Sequence, residues 1–297
     1  MALLERILHP NGVVIYRSSG LHALGVPHAF STRIGGVSTG VFHSLNLGNP
    51  GGVDVKDDAQ NIAENYRRLH HAIGCEHRRR VFVHQVHGCT VVDADESIPT
   101  DTIYDGTELG QADALTTTDA ALLLSVRTAD CVPVLIASTD GSRVAAVHAG
   151  WRGVVGGAVT QALKYFLAGE VCVAVGPHIS VRHFEVGDEV AQQFGPKLAR
   201  GFAPEFARES AQEFASEFTA ESASDSASNC VTHHPVYARP HVDLQKAIVK
   251  QLTIAGVRED RIDTTDRCTV AHADMFFSHR REHGITGRMA AVIGVRA

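Results

Sequence analysis

Two apolar stretches of the sequence each break at a reactive side chain. Residues 122–138 (LLLSVRTADCVPVLIAS) place Cys131 at the break, and residues 144–155 (VAAVHAGWRGVV) place His148 there. Apolar runs of this kind are typical of buried strands. A thiolate and an imidazole at neighbouring strand ends either bind a metal ion or act as a nucleophile and its general base.

Residues 81–88 (VFVHQVHG) supply a third candidate ligand. His84 and His87 are three residues apart, and an odd separation on a strand directs two side chains to opposite faces. We therefore expect only one of them to enter the site. His87 is the better placed because it lies beside Gly88, where the strand ends.

The set formed by His87, Cys131 and His148 lacks the closely spaced ligand pairs of a zinc finger. Three ligands from three strand ends would leave a fourth coordination position for water, as in catalytic zinc sites. Two histidines and a cysteine also suit blue copper, with Met275 or Met289 as a weak axial ligand. The sequence has no His-x-His pair of the multicopper oxidase type, so copper oxidase chemistry has weak support. A metal-free pair, with Cys131 as nucleophile and His148 as base, also stays open.

Two arginines lie where an anion could bind. Arg33 begins a glycine-rich loop in residues 28–40 (HAFSTRIGGVSTG), which suits an anion, although a hairpin with a solvated arginine is the simpler interpretation. Arg152 is expected at a helix N-terminus, where a cation opposes the helix dipole and is best explained by an anion or a paired carboxylate. The lone acid Asp113 is expected to face a pocket or to cap a turn.

The elements that must position these residues follow from apolar periodicity. Strands are expected at 13–16, up to Thr32, at 81–88, in the two apolar runs, at 171–175 and at 287–294. Helices are expected at 57–74, at 153–167, from Asp188 onward and at 241–256, where Asp243 fits the N-cap; residues 262–269 are expected to form a polar connection.

Composition limits the class of protein. The chain has 297 residues, is 44% hydrophobic and carries a net charge of −6, so it can bury a large core and has no bias toward nucleic acid or a membrane surface. The first residues lack the unbroken apolar core of a signal peptide, and we expect a cytoplasmic protein whose six cysteines are thiols. Residues 204–229 are rich in Ala, Ser and Glu and read as a low-complexity insertion in one domain that spans 1–297.

Ordered motifs over nearly the whole chain resemble those of the laccase-domain family, also called the multicopper polyphenol oxidase or peptidoglycan editing factor family. The resemblance excludes 204–229 and a short excess near 95–110. The motifs are STRIGGVS (31–38), SLNLG (44–48), QVHG (85–88), TADCVPV (128–134), HAGWRG (148–153), GPHI (176–179), FEVG (184–187), VDLQKA (242–247), FFSHRR (276–281) and TGRMAAVIG (286–294).

The resemblance implies a single compact α/β (α+β) domain of mixed β-sheets with flanking helices. It also implies a zinc ion, with copper as an alternative, held by His87, Cys131 and His148. The implied activities are phosphorolysis of adenosine, inosine, guanosine and methylthioadenosine, and deamination of adenosine. Polyphenol oxidation and hydrolytic editing of a peptidoglycan precursor are the alternatives. The sequence departs from the family at His279, where a tyrosine is common, and at His178, where a small residue or cysteine is common.

Further roles are assigned within that resemblance. A nucleoside and phosphate are the expected partners, without nucleic acid or membrane, in a monomer or homodimer. Glu185 and Asp130 are candidates for moving protons during catalysis, alongside Cys131. The candidates for binding phosphate or nucleoside are Arg33, Arg152, Arg280, His178 and Asp113.

Overall fold

Two seven-stranded mixed β-sheets pack face to face, and helices cover both outer faces. The computed structural model describes residues 1–94, 106–167, 169–194, 230–232 and 238–296. The low-complexity insertion predicted at 204–229 therefore lies outside the described residues. None of the described helices has the length and apolar character that crossing a membrane requires. The α/β class with mixed sheets and flanking helices is confirmed.

The elements are numbered in chain order over the described residues. The strands are β1 (Ala2–Leu3), β2 (Glu5–Leu8), β3 (Val14–Arg17), β4 (His28–Ser31), β5 (Arg79–His84), β6 (Val91–Ala94), β7 (Thr107–Gln111), β8 (Ala114–Thr117), β9 (Leu122–Thr128), β10 (Val132–Ser138), β11 (Val144–Ala149), β12 (Val171–Val175), β13 (Val231–Thr232), β14 (His241–Val242), β15 (Ile262–Thr264) and β16 (Met289–Ile293). The helices are α1 (Ser19–Ala23), α2 (Ala59–Ala72), α3 (Trp151–Gly156), α4 (Ala158–Leu163), α5 (Asp188–Ala191) and α6 (Leu244–Ile254), with short 3-10 turns at Gly40–Phe42, Gln192–Phe194 and Glu259–Arg261.

The first sheet has the strand order β1-β15-β12-β10-β11-β8-β6, and the second has the order β2-β3-β4-β16-β9-β5-β7. Strands β13 and β14 form a separate antiparallel pair. The long apolar strands β9, β10 and β11 lie inside the sheets and are buried on both faces. Their near-continuous apolar sequences follow from this position, because a strand covered on both sides has no face for polar residues.

Alternate residues of each central strand enter different layers of the core. In β9, Leu124 and Val126 point between the sheets, whereas Leu123 packs under α2. In β10, Leu135 also points between the sheets, whereas Ile136 packs under the helices α4 and α6. The period of two residues along a strand produces this division, and it yields four layers: helices, sheet, sheet, helix.

Three connections cross from the second sheet to the first at the same end of the molecule. Strands β5, β7 and β9 are parallel neighbours, so their carboxyl ends lie side by side. Each is followed by a strand of the first sheet, through residues 85–90, 112–113 and 129–131 respectively. His87, Asp113 and Cys131 all lie in these crossings, which brings them together although they are distant in sequence.

The helices predicted at 57–74 and at 241–256 are confirmed with small changes of boundary. Helix α2 begins after Asp58, whose carboxylate accepts a hydrogen bond from Gln60 N at 2.8 Å, and it buries Tyr66 and Leu69. Helix α6 begins after Asp243, whose carboxylate accepts from Lys246 N at 2.8 Å. Both caps satisfy backbone N–H groups that have no partner within the helix.

Two predictions about secondary structure were wrong. The single helix expected at 153–167 is broken into α3 and α4 at Gly157, which adopts φ +77°. The polar connection expected at 262–269 begins with the strand β15, which pairs in parallel with β1 and β12. Three residues are too short for a readable period, so only the neighbouring strands reveal this element.

Loss of the α6 cap is expected to destabilise the fold by about 1 kcal/mol, the usual value of an N-cap side chain. Asp243→Ala removes the acceptor, whereas Asp243→Asn retains an oxygen at the same place and serves as the matched control. Urea unfolding followed by circular dichroism measures the difference. Equal unfolding free energies for Asp243→Ala and the unchanged protein would contradict the role of this cap.

Candidate metal centre

The side chains of His87, Cys131 and His148 converge into one group. One ligand atom from each lies within 4.8 Å of the others, and among the described residues this is the one group of three or more His, Cys, Asp or Glu side chains with such geometry. Nitrogen and sulfur donors at 2.0–2.3 Å from a tetrahedral ion lie roughly 3.3–3.6 Å apart, so the group is near the spacing that one ion requires. His148 is buried and His87 is exposed, so the group opens to solvent on one side.

His87 belongs to the group and His84 does not, as predicted, but for a different reason. Strand β5 ends at His84, so the two histidines do not share a strand. His87 instead lies in the crossing to β6 with φ +63°, a left-handed backbone that turns its imidazole toward Cys131. Gly150 lies against this turn, since a Cβ atom there would approach His87 Cδ2 to 2.9 Å and Cys131 Sγ to 3.1 Å.

Cys131 lies in the crossing from β9 to β10, next to a second left-handed residue, Asp130, with φ +97°. The Asp130 carboxylate accepts hydrogen bonds from Thr269 Oγ1 at 2.6 Å and from the Arg280 backbone N at 2.7 Å. Its backbone carbonyl also accepts from Ile179 N at 2.9 Å. These contacts hold the uncommon backbone conformation that presents the thiol.

Asp113 lies behind the group and binds two of its members. Its fully buried carboxylate accepts from His148 Nδ1 at 2.8 Å, from His87 N at 2.9 Å and from Gly88 N at 2.6 Å. Because a carboxylate only accepts, His148 Nδ1 carries a proton, which leaves Nε2 as the nitrogen that can bind a metal ion once it gives up its own proton. A carboxylate that orients a metal-binding histidine in this way is a common support of metal sites.

The electrostatics of the group favour the cysteine thiolate. Burial alone would raise the pKa of Cys131, but the charges and hydrogen bonds of His148 and His87 outweigh burial and lower that pKa to about 6. Burial opposes a charge on His148 as well, yet Cys131 and Asp113 raise the pKa of its imidazole. Burial would raise the pKa of Asp113, but the hydrogen bonds from His148 and Gly88 hold it below its ordinary value. A thiolate is the form in which cysteine binds a metal or acts as a nucleophile.

The three arginines predicted to bind phosphate differ in the partners that the protein already gives their guanidinium groups. The Arg33 guanidinium donates to the His43 carbonyl at 2.7 Å and lies 3.5 Å from Glu282 Oε1. The Arg280 guanidinium donates to the Glu185 carbonyl at 3.2 Å. Arg152 lies in the first turn of α3, exposed, with its guanidinium 4.2 Å above the Trp151 ring.

The other predicted residues fall into one network beside Cys131, apart from Glu185. His178 is buried, its Nδ1 donates to the Gly176 carbonyl at 2.8 Å, and its own carbonyl accepts from Thr269 N at 3.0 Å. Thr269 in turn binds Asp130. The Glu185 side chain is exposed, with Oε1 3.8 Å from Arg239 Nε.

Sequence reasoning missed two supports of this site, Gly150 and Thr269. Gly150 stands within the motif HAGWRG and Thr269 follows a cysteine, but neither has a spacing that reveals its contacts. The approach of Gly150 to two ligand side chains depends on how β11 enters α3. Only tertiary packing brings Thr269 to Asp130, which is 139 positions earlier in the chain.

Comparison with known proteins identifies the family of this chain. Residues 27–296 match the family described as multi-copper polyphenol oxidoreductase laccase. The chain belongs to this family. A purine nucleoside phosphorylase from Deinococcus radiodurans is 35% identical over 277 residues, covering 92% of this chain and 90% of the relative. The purine nucleoside phosphorylase YlmD from Geobacillus stearothermophilus is 32% identical over 279 residues, covering 92% and 91%.

Solved structures extend the family comparison to the fold. The crystal structure of YlmD from Geobacillus stearothermophilus superposes with a TM-score of 0.77 at 28% identity and covers 100% of both chains. The Neisseria meningitidis protein NMB0706 superposes with a TM-score of 0.70 at 29% identity, covering 92% of this chain and 95% of that one. This chain therefore has the same architecture as these two structures over nearly its full length.

Metal binding is expected to depend on His87 and not on His84. His87→Ala removes one of three donors and should lower the bound metal to less than half of the stoichiometry of the unchanged protein. His84→Ala is the matched control, because it removes an exposed imidazole three residues away. Plasma mass spectrometry after dialysis measures the metal. Full occupancy in His87→Ala, or an equal loss in His84→Ala, would contradict the site.

Substitution of the buried carboxylate is expected to weaken the site without removing a ligand. Asp113→Asn replaces an acceptor by a group that also carries N–H donors, which would face the donors of His148, His87 and Gly88. We expect metal affinity to fall about 10- to 100-fold, the usual effect of losing such a support. Competition with a fluorescent chelator measures the affinity. Asp119→Asn is the control for the loss of a carboxylate, because Asp119 lies outside the group and is paired with Arg79 Nη2 at 3.7 Å. An equal loss of metal affinity in Asp119→Asn would refute a specific role of Asp113.

Proposed function

We propose that this chain is a zinc-dependent purine nucleoside phosphorylase. The observation that carries the proposal is the open group of two imidazoles and one thiolate in a chain that is 35% identical to a protein named purine nucleoside phosphorylase. Its proposed substrates are adenosine, inosine, guanosine and methylthioadenosine together with phosphate, and deamination of adenosine is proposed as a second activity. The proposed location is the cytoplasm.

The donor set supports zinc as the metal. Two histidines, one cysteine and an open fourth position are a known combination for catalytic zinc. Copper oxidase chemistry is the alternative suggested by the family description, and a single group of three donors among the described residues gives it less support. Zinc bound here would supply a Lewis acid that polarises a bound oxygen.

In phosphorolysis, a phosphate oxygen forms a bond to C1′ of the nucleoside as the bond from C1′ to the purine nitrogen breaks. The electron pair of the broken bond stays on the purine, which gains a proton, and the products are the free base and the sugar 1-phosphate. The residues must therefore bind a dianion, orient the sugar and deliver a proton to the base. In deamination, water replaces the amino group of adenosine and ammonia leaves.

The geometry supports a division of these tasks. Glu185 is exposed and can exchange protons with solvent, so it is proposed to protonate the leaving base. Asp130 is proposed to hold the thiol rather than to move protons, because both of its carboxylate oxygens already accept hydrogen bonds. Asp113 is revised from a substrate contact to a support of the ligands, because it is fully buried.

The remaining candidates are proposed to contact substrate. The pKa of His178 is lowered by burial, so its imidazole is neutral and offers Nε2 as an acceptor to the sugar or base. Arg152 and Arg280 keep exposed guanidinium groups and are proposed as contacts to the substrate. Arg33 fits that role less well because Glu282 already neutralises it.

The assay that tests the proposal supplies purified zinc-loaded protein with adenosine and phosphate. We expect adenine and ribose 1-phosphate to form together by chromatography, with activity reduced at least 100-fold in Cys131→Ser and retained in Cys172→Ser. Cys172 is a half-buried thiol of β12 outside the metal group. Release of free ribose without phosphate would identify a hydrolase, and inosine with ammonia would identify deamination.

Editing of a peptidoglycan precursor and polyphenol oxidation are the competing functions. A parallel incubation with a serine-containing muropeptide precursor tests the first, and a copper-loaded sample with a phenolic substrate tests the second. Turnover in either of these, with none on the nucleosides, would overturn the proposed phosphorylase.

A further inference from the structure

We propose that Arg127 and Arg288 together form the subsite for the phosphate dianion. This inference rests on the proposed phosphorylase function and deepens it. It assigns phosphate binding to two residues that sequence spacing did not identify. Three observations support this assignment. Strand register puts both arginines on one face, both contact the same loop, and neither guanidinium has an ion-pair partner among the described residues.

Strand register places the two arginines on one face of the second sheet. Arg127 of β9 lies opposite Ala290 of β16 in an antiparallel pair. Arg288 directly precedes Met289, which pairs with Thr128 at the end of that ladder, so the alternation of side chains along β16 puts Arg288 on the same face as Ala290. Residues in this diagonal relation are neighbours on the same face, within reach of each other's long side chains. The face is the outer one, where Ala290 packs with Leu123.

The segment from Asn46 to Gly48 holds both arginines. The Asn46 side-chain oxygen accepts from Arg288 N at 2.9 Å and from Gly48 N at 3.2 Å. Gly48 in turn lies against Arg127, because a Cβ atom at position 48 would approach Arg127 Cδ to 2.8 Å. One amide oxygen thus fixes the backbone beside each arginine, and Gly48 limits the position of the Arg127 side chain.

Among the described residues, neither guanidinium has a carboxylate partner. Over the described ranges, no carboxylate oxygen lies within 4.0 Å of Arg127 or Arg288. Arg288 Nη1 donates to the Thr286 and Gly287 carbonyls at 3.0 Å, and the Arg127 guanidinium lies 5.0 Å above the Phe82 ring. Both side chains are half-buried. Two half-buried like charges repel each other, and a dianion between them relieves the repulsion with charge-assisted hydrogen bonds.

The pair lies beside the metal group. The Gln85 side chain donates to the Arg127 carbonyl at 2.7 Å and accepts from Arg127 N at 2.8 Å, so Arg127 is tied to the turn that carries His87. Burial and the charge of Arg127 lower the pKa of Arg288, whereas the negative charges of Cys131 and Asp130 raise it. An anion held by Arg127 would therefore lie at the carboxyl end of β9, which leads directly into the crossing that carries Cys131.

Arg127→Gln and Arg288→Gln are expected to raise the KM for phosphate about 10- to 100-fold each, the range of a lost charge-assisted hydrogen bond. The KM for adenosine should change less than about threefold, since the nucleoside would keep its contacts. Arg143→Gln is the matched control, because it removes a half-buried arginine paired with Asp93 at 3.4 Å. Steady-state rates at varied phosphate, with saturating adenosine, provide the measurement.

Binding of inorganic phosphate to zinc-loaded protein, measured by calorimetry without nucleoside, separates this inference from the proposed function. Loss of phosphate binding in both variants supports the pair even if the protein shows no phosphorolysis, in which case only the proposed function fails. Phosphorolysis with an unchanged KM for phosphate in both variants overturns the pair and leaves the function intact.

A further measurement uses the unchanged protein, in case a variant does not fold. Phenylglyoxal modifies accessible arginines, and peptide mass spectrometry identifies each modified position. We expect inorganic phosphate, compared with chloride at equal ionic strength, to slow modification of Arg127 and Arg288 at least fivefold. Protection of Arg152 or Arg280 instead, or of no arginine, would overturn the assignment.

Discussion

The buried Asp113 carboxylate is the interaction on which the candidate site depends. It accepts hydrogen bonds from the His148 imidazole and from the backbone of the turn that carries His87, so one side chain sets the positions of two candidate ligands. An ionised carboxylate in the interior is costly unless its oxygens are satisfied, and here protein donors satisfy both of them. Hydrogen bonds to a charged group are worth about 1.5–3 kcal/mol each, so the carboxylate and the turn stabilise each other.

The sheets explain why this arrangement can form at all. Parallel neighbours end at the same edge, so the crossings after β5, β7 and β9 begin side by side. Each crossing must leave regular strand pairing to reach the other sheet, which permits the left-handed backbone at His87 and Asp130. The apolar layers of the two sheets supply the stability that these uncommon conformations require. The site is therefore a consequence of how the chain passes between layers.

The polar surroundings have two sides with different tasks. On one side, Thr269 and the Arg280 backbone hold Asp130, which presents the Cys131 thiol. On the other side, the Gln85 side chain joins the turn that carries His87 to Arg127 of β9, whose guanidinium has no carboxylate partner among the described residues. The candidate metal group is thus connected to a hydrogen-bonded carboxylate through Cys131 and to a cationic side chain through the turn that carries His87.

The α/β class, the N-cap Asp243 and the choice of His87, Cys131 and His148 as candidate ligands could be predicted from the sequence, because residue type, apolar period and capping chemistry are local properties. The division of one expected helix at Gly157 was not, since a single glycine is compatible with a continuous helix until packing selects its left-handed backbone. The role of Asp113 was also hidden, because its four hydrogen-bond partners come from two distant segments of the chain. Only the tertiary structure decided those contacts. They depend on which of the segments that connect the two sheets lie side by side, and residue spacing in the sequence does not reveal that.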